Sequence, residues 1–98
     1  MGDIVRDGDI EAQIKTIARR IREEREKLRI SQMDLSFRAG LSQNQVFCIE
    51  TGKRVPNLYT VLKLCEALGI SPAALFAPAD EEKARARENV IKLVSKYM

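Results

Sequence analysis

This 98-residue sequence predicts an all-α fold of five short helices, followed by a sixth beyond Pro78. Three observations carry that prediction. Apolar residues recur at spacings of three and four, the period of one helix face. Residues that start helices (Ser31, Ser42, Asn57 and Ser71) stand just before those apolar sets. Gly40, Gly52 and Gly69 stand just after them, where a helix closes.

Residues 1–10 are expected to form a flexible acidic arm, with Asp9 capping a first helix that runs to about Leu28. Ile14, Ile17, Ala18, Ile21, Arg25 and Leu28 share one face of that helix. Arg25 is a cation within an apolar stripe. It needs a buried partner or costs several kcal/mol, and Glu50 is the obvious candidate. Helix 2 is expected over about Gln32–Ala39, with Leu35 and either Phe37 or Ala39 facing the core. Helix 3 is expected over about Gln43–Thr51. Helix 4 follows Asn57 and runs to Leu68, with Leu58, Val61, Leu62, Leu64, Cys65 and Leu68 as its apolar set. Ser71-Pro72 opens a short helix 5 through Phe76, with proline at the favoured first position. The folded domain is thus expected over residues 11–77. Residues 78–98 are expected to be a separate C-terminal helix, with Val90, Ile91, Val94 and Tyr97 in one narrow stripe. Such a stripe can pack back on its own domain or pair with a second copy, and a dimerisation element is expected.

The segment Ser31–Lys53 organises the chain. Ser42 and Gln45 have the spacing of a capping box, and Leu41 with Val46 has that of a hydrophobic staple. Ile30, Ser31 and Leu35 repeat the arrangement one helix earlier. Two capped helices joined at a single Gly40 must cross steeply, which describes a helix-turn-helix. With Val46 pointing inward, Ile49 and Glu50 flank it. Asn44, Phe47, Cys48 and Thr51 then face out, with Gln43 and Gln45 at the edges. Asn and Gln amides pair with the major-groove edge of adenine, and Phe packs on a thymine methyl. Taken alone, these residues also fit an ordinary exposed polar face.

Composition narrows the reading. The net charge is +3, but residues 1–11 carry a net of −3, residues 15–63 a net of +6, and residues 64–98 a net of zero. The excess of positive charge thus falls on the helix pair, as expected for a polyanion partner. There is no histidine, so histidine catalysis and histidine metal sites are excluded, and two cysteines cannot build a four-ligand zinc site. No phosphate-cradling glycine loop is present. An enzyme is not expected, and no cofactor or metal is implied. No apolar run reaches membrane-spanning length, and a cytoplasmic protein with reduced Cys48 and Cys65 is expected. Cys48 is read as a small side chain rather than a redox switch, because it lies at the wrong end of helix 3 for the dipole to lower its pKa.

Residues 14–76 resemble the lambda-repressor-like, Cro/C1-type helix-turn-helix family. The resemblance rests on I-R-x-x-R-E-x-x-x-I-S-Q-x-x-L, A-G-L-S, I-E-T-G-K-R-x-P-x-L and L-K-L-C-E-A-L-G-I-S, and it extends to small stand-alone repressors and restriction-modification controller proteins. It implies a five-helix bundle that binds double-stranded DNA as a homodimer. It further implies base contacts from Gln43, Asn44, Gln45, Phe47 and Cys48, and phosphate contacts from Gln32, Ser42, Lys53 and Arg54. Arg25 and Glu50 match the family's buried ion pair. Phe47 and Cys48 are more apolar than is usual in relatives, and the acidic arm is unlike the basic arms of some. The expected function is a sequence-specific transcriptional regulator on a roughly palindromic operator. The competing expectation is an antitoxin-type module that holds a protein partner and binds DNA only secondarily.

Overall fold

The computed structural model describes residues 4–77, and in that span the chain forms five α-helices. They are α1 (Asp7–Lys27), α2 (Gln32–Ala39), α3 (Gln43–Glu50), α4 (Leu58–Leu68) and α5 (Pro72–Phe76). The expected sixth helix lies outside the described residues. No helix among those described is long and apolar enough to cross a membrane.

The local signals act as their chemistry dictates at most ends. The hydroxyl of Ser31 accepts from the Asp34 amide, and the Asp34 carboxylate accepts from the Ser31 amide, so α2 opens on a closed capping box. Gly40 then takes φ 69°, a left-handed conformation that costs a side-chain-free residue little. Asn57 caps α4 by accepting from the Thr60 amide at 2.8 Å. Gly69 ends that helix at φ 70°.

The first helix departs from expectation. It begins two residues before Asp9, with Arg6 as its N-cap and no side-chain cap bond. Asp7 and Asp9 both lie in its first turn, where carboxylates favour the positive end of the helix dipole. The helix therefore starts inside the stretch expected to be an arm. Likewise Ser71 precedes α5 without making a side-chain cap bond.

Ile21, Leu35, Val46, Leu64 and Leu75 are fully buried, so each helix contributes one side chain to the centre of the core. Burying each is worth about 1.5–3 kcal/mol. α2 packs against α3 and α4, and α1 packs against α3, α4 and α5. Ile30, Leu41 and Ile70, the residues just before three N-caps, all pack against this core. Each thereby fixes the angle at which the next helix enters. Ser36 is buried, and its hydroxyl donates to the Met33 carbonyl at 2.7 Å rather than staying unpaired.

Three apolar residues expected on inner faces, Leu28, Leu58 and Leu62, lie elsewhere, and one of the two alternatives for α2 is settled. Leu28 is the C-cap of α1, at the very end of the helix, and is exposed. Ala39, not Phe37, is the second core residue of α2, and Phe37 is 89% exposed. Leu58 and Leu62 face outward, while Val61, Leu64, Cys65 and Leu68 fill the inner face of α4. That set already makes a complete stripe at spacings of three, one and three.

Candidate nucleic-acid interface

Isolated helices of eight residues are unstable in water, so α2 and α3 depend on their caps and on their packing. Their junction is closely specified. The Leu41 amide donates to the Ser36 carbonyl at 2.8 Å across Gly40, which closes the end of α2. The Ser42 hydroxyl accepts from the Gln45 amide at 3.1 Å. The Gln45 side-chain oxygen accepts from the Ser42 amide at 2.9 Å. With Leu41 and Val46 packed inward, the direction of α3 is set by its first turn.

The inner side of α3 is tied to α1 by charge. Arg25 donates to Glu50 through Nε at 2.7 Å and through a terminal nitrogen at 3.0 Å. Its other terminal nitrogen donates to the Ile30 carbonyl at 2.8 Å. The side chains are 13% and 1% exposed, so the pair is shielded from water and salt. The Glu50 hydrogen bond raises the Arg25 pKa above its ordinary value, against the burial that lowers it. The partner inferred from the apolar stripe of α1 is therefore the one present.

Gln32 joins the same network, which the sequence did not suggest. Its amide nitrogen donates to a Glu50 oxygen at 3.1 Å. One of its two N–H donors is thus directed inward, and one remains for the solvent side. A glutamine at the first position of a helix carries no sequence signal for such a bond, because it spans 18 residues of chain to another element.

On the outer side, Gln43 and Asn44 are exposed at the start of α3, with Ser42 beside them. Phe47 is exposed one turn later, and Gln45 and Cys48 are half-buried. The Asn44 side-chain oxygen lies 3.9 Å from the Cys48 sulfur, as their four-residue spacing requires. The Thr51 hydroxyl donates back to the Phe47 carbonyl at 2.8 Å, and Gly52 turns the chain at φ 77°. The Arg54 amide then donates to the Cys48 carbonyl at 3.1 Å, holding the basic loop against the end of α3. Lys53 and Arg54 are exposed. The Lys53 ammonium stands 5.2 Å from the Phe47 ring centroid, a cation–π contact that orders a long side chain. Cys65, by contrast, is core, and burial pushes its thiol pKa up.

The amides differ in what they have left to offer. The Gln45 oxygen already serves the cap, and Gln32 serves Glu50. Gln43 makes no side-chain hydrogen bond among the described residues, so both ends of its amide face solvent.

A family model described as helix-turn-helix matches residues 21–75, more than half of the chain. The chain belongs to the Cro/C1-type helix-turn-helix family. That is a family of DNA-binding transcriptional regulators, not of enzymes. The matched span covers α2 to α4 whole and ends within α5. A curated relative, the uncharacterised HTH-type transcriptional regulator y4dJ of Sinorhizobium fredii, is 36% identical over 52 residues. That alignment covers 53% of this chain and 68% of y4dJ. The restriction-modification controller protein C.AhdI from Aeromonas hydrophila has a similar structure, with TM-score 0.66 and 38% identity. The match covers 69% of this chain and 99% of that one. The P22 c2 repressor, solved in complex with a synthetic operator, matches with TM-score 0.58 and 34% identity, over 62% of this chain and 92% of that one. Likeness to a restriction-modification controller and to a repressor agrees with the resemblance read from the motifs.

Proposed function

We propose that this helix-turn-helix protein is a sequence-specific transcriptional regulator that binds a roughly palindromic operator as a homodimer, with α3 in the major groove. The observation that carries the reading is the outer face of α3. Two exposed amide side chains stand at its start, and two exposed cations stand just past its end, on a helix whose inner face is locked to α1. A major groove admits such a helix and offers adenine an amide partner. The P22 c2 repressor, similar in fold and sequence, was solved on an operator, which supports the same use here.

In this reading Gln43 and Asn44 meet base edges, while Gln45, its oxygen held by the cap, stands beside them and fixes the helix. Phe47 and Cys48 pack against base methyls. The second N–H of Gln32, the Ser42 hydroxyl, Lys53 and Arg54 contact phosphates. Two-fold symmetry sets the half-sites about one helical turn, roughly 34 Å, apart.

Selection of bound duplexes from a random library by the full chain, at near-physiological salt, tests it. An inverted repeat is expected. Gln43→Ala should then cost about 1–3 kcal/mol on the selected site and relax its preference. Lys53→Ala should weaken all duplexes alike and lower the salt slope by about 1. An unpaired half-site would remove the homodimer. Failure to enrich any sequence would remove operator recognition and turn attention to a protein partner.

A further inference from the structure

An apolar groove of about 270 Å³ lies between α1, the loop after α3 and the start of α4. Ile14, Ile17, Val55, Leu58 and Phe76 are among its walls, and every described residue lining it is apolar. Single exposed apolar residues are ordinary on a protein surface. Here, however, Val55, Leu58 and Phe76 converge on one depression while 62%, 68% and 56% exposed. The outward residues of α3 do not line the groove, so the DNA-binding reading leaves it without an occupant.

The chain itself supplies one. Residues 78–98 follow directly, and Val90, Ile91, Val94 and Tyr97 fall at helical spacing in that segment. From the first to the last of these is about 10 Å at ~1.5 Å per residue, the same length as Ile14 to Ile21 along the groove wall. The described chain also ends at the groove. Phe76 is part of its wall. One Arg20 nitrogen donates to the Leu75 carbonyl at 2.9 Å and also to the Ala77 carbonyl, pinning the exit to α1. From that point residues 78–89 can reach roughly 40 Å if fully extended, well beyond the length of the groove. Being on the same chain, the stripe is presented to the groove at an effective concentration set by that linker, whereas a second copy binds there only as its own concentration and affinity allow.

We propose that residues 90–97 of the same chain dock their apolar stripe, Val90, Ile91, Val94 and Tyr97, in this groove. The docked stripe covers Val55, Leu58 and Phe76 and leaves the outer face of α3 open.

Methyl NMR of the full chain tests this without DNA, so its outcome is independent of the operator reading. Cross-peaks are expected between the methyls of Val90, Ile91 or Val94 and those of Ile14, Ile17, Val55 or Leu58. In a sample mixing labelled and unlabelled chains, filtered for contacts between molecules, those cross-peaks should be lost. Ile91→Asp should remove them from the fully labelled sample and shift the Val55 and Leu58 methyls, with the Leu35 and Leu64 methyls unmoved. Cross-peaks that persist between molecules would assign the groove to a second copy and overturn the proposal. Absence of cross-peaks from both samples would overturn it as well.

Discussion

Replacing Arg25 with methionine should come close to unfolding the domain, and the reason is Glu50 rather than Arg25. The carboxylate of Glu50 is 1% exposed and receives three hydrogen bonds, two from Arg25 and one from Gln32. Arg25→Met keeps the stem that packs along α1 but leaves a buried charge with one neutral amide donor. Removing one partner of such a pair costs about 3–5 kcal/mol. A small domain holds only about 5–15 kcal/mol in all. At ~4–8 °C per kcal/mol for this size, the midpoint should fall by roughly 12–40 °C. Glu50→Met should cost a similar amount, because it strands the guanidinium. The double variant Arg25→Met/Glu50→Met should recover most of the loss, since no buried charge is then left unpaired. Urea and thermal unfolding followed by far-UV circular dichroism give all four corners of the cycle. Two outcomes would sink the reasoning. One is a single variant that loses less than about 1 kcal/mol, which would mean that water reaches Glu50. The other is a double variant whose loss equals the sum of the singles, which would mean that the two side chains do not act as a pair.

Three further expectations follow from single positions. Arg29 is held at φ 58°, a left-handed conformation that L side chains adopt at a cost. Arg29→Gly should therefore stabilise the fold by about 0.5–1 kcal/mol, net of the added freedom of the unfolded chain, read as a higher urea midpoint with an unchanged slope. Phe37→Glu should change stability by less than about 0.5 kcal/mol, whereas Leu35→Ala, two residues away, should cost about 2–5 kcal/mol; equal losses would place Phe37 in the core. The Ser31 amide, and after it the Ser31 hydroxyl, hold the Asp34 carboxyl below the ordinary carboxylate range. A depressed folded-state pKa gives stability that is present above the unfolded value, about 3.9, and lost as pH falls through the lowered one. Asp34→Asn should accordingly lower stability at neutral pH and flatten part of the acid limb of a pH titration of the urea midpoint.

Much of the fold could be read from the sequence because the signals were local and consistent. Ser31, Gly40, Ser42, Asn57 and Gly69 act within four residues of themselves, and each ended or began a helix where its chemistry said. The Arg25–Glu50 pair is long-range, yet it was readable because a cation in an apolar stripe has few options and only one carboxylate stood on a facing inner surface. The outward apolar residues of α2 and α4 share one cause. Apolar identity does not determine burial once a helix has filled its inner face. Ala39 takes the inner place on α2 and leaves Phe37 outside, and Leu64 and Cys65 leave no room on the inner face of α4 for Leu62. The helix start was misjudged because Arg6 has no capping side chain to announce it. Gln32 and Lys53 were singled out only by what the family resemblance implies. Their partners, Glu50 and the Phe47 ring, were unreadable because no pattern in the chain links a surface side chain to an acceptor on another element.

These contacts also rank the side chains that face the proposed groove of DNA. A residue can read a base only with atoms its own fold does not already use. The helix N-terminus that brings α3 towards the groove also takes the Gln45 oxygen to complete its cap. A bidentate amide contact with adenine needs the oxygen as acceptor and the nitrogen as donor together. Gln43 retains both, and Asn44 retains both apart from a weak approach by the Cys48 thiol. Gln45 is therefore better suited to fixing the helix than to reading sequence. Gln45→Ala should lower stability by about 0.5–2 kcal/mol through the lost cap while leaving the preferred operator unchanged, in contrast to Gln43→Ala. An altered preference in Gln45→Ala with unaltered stability would reverse the two roles.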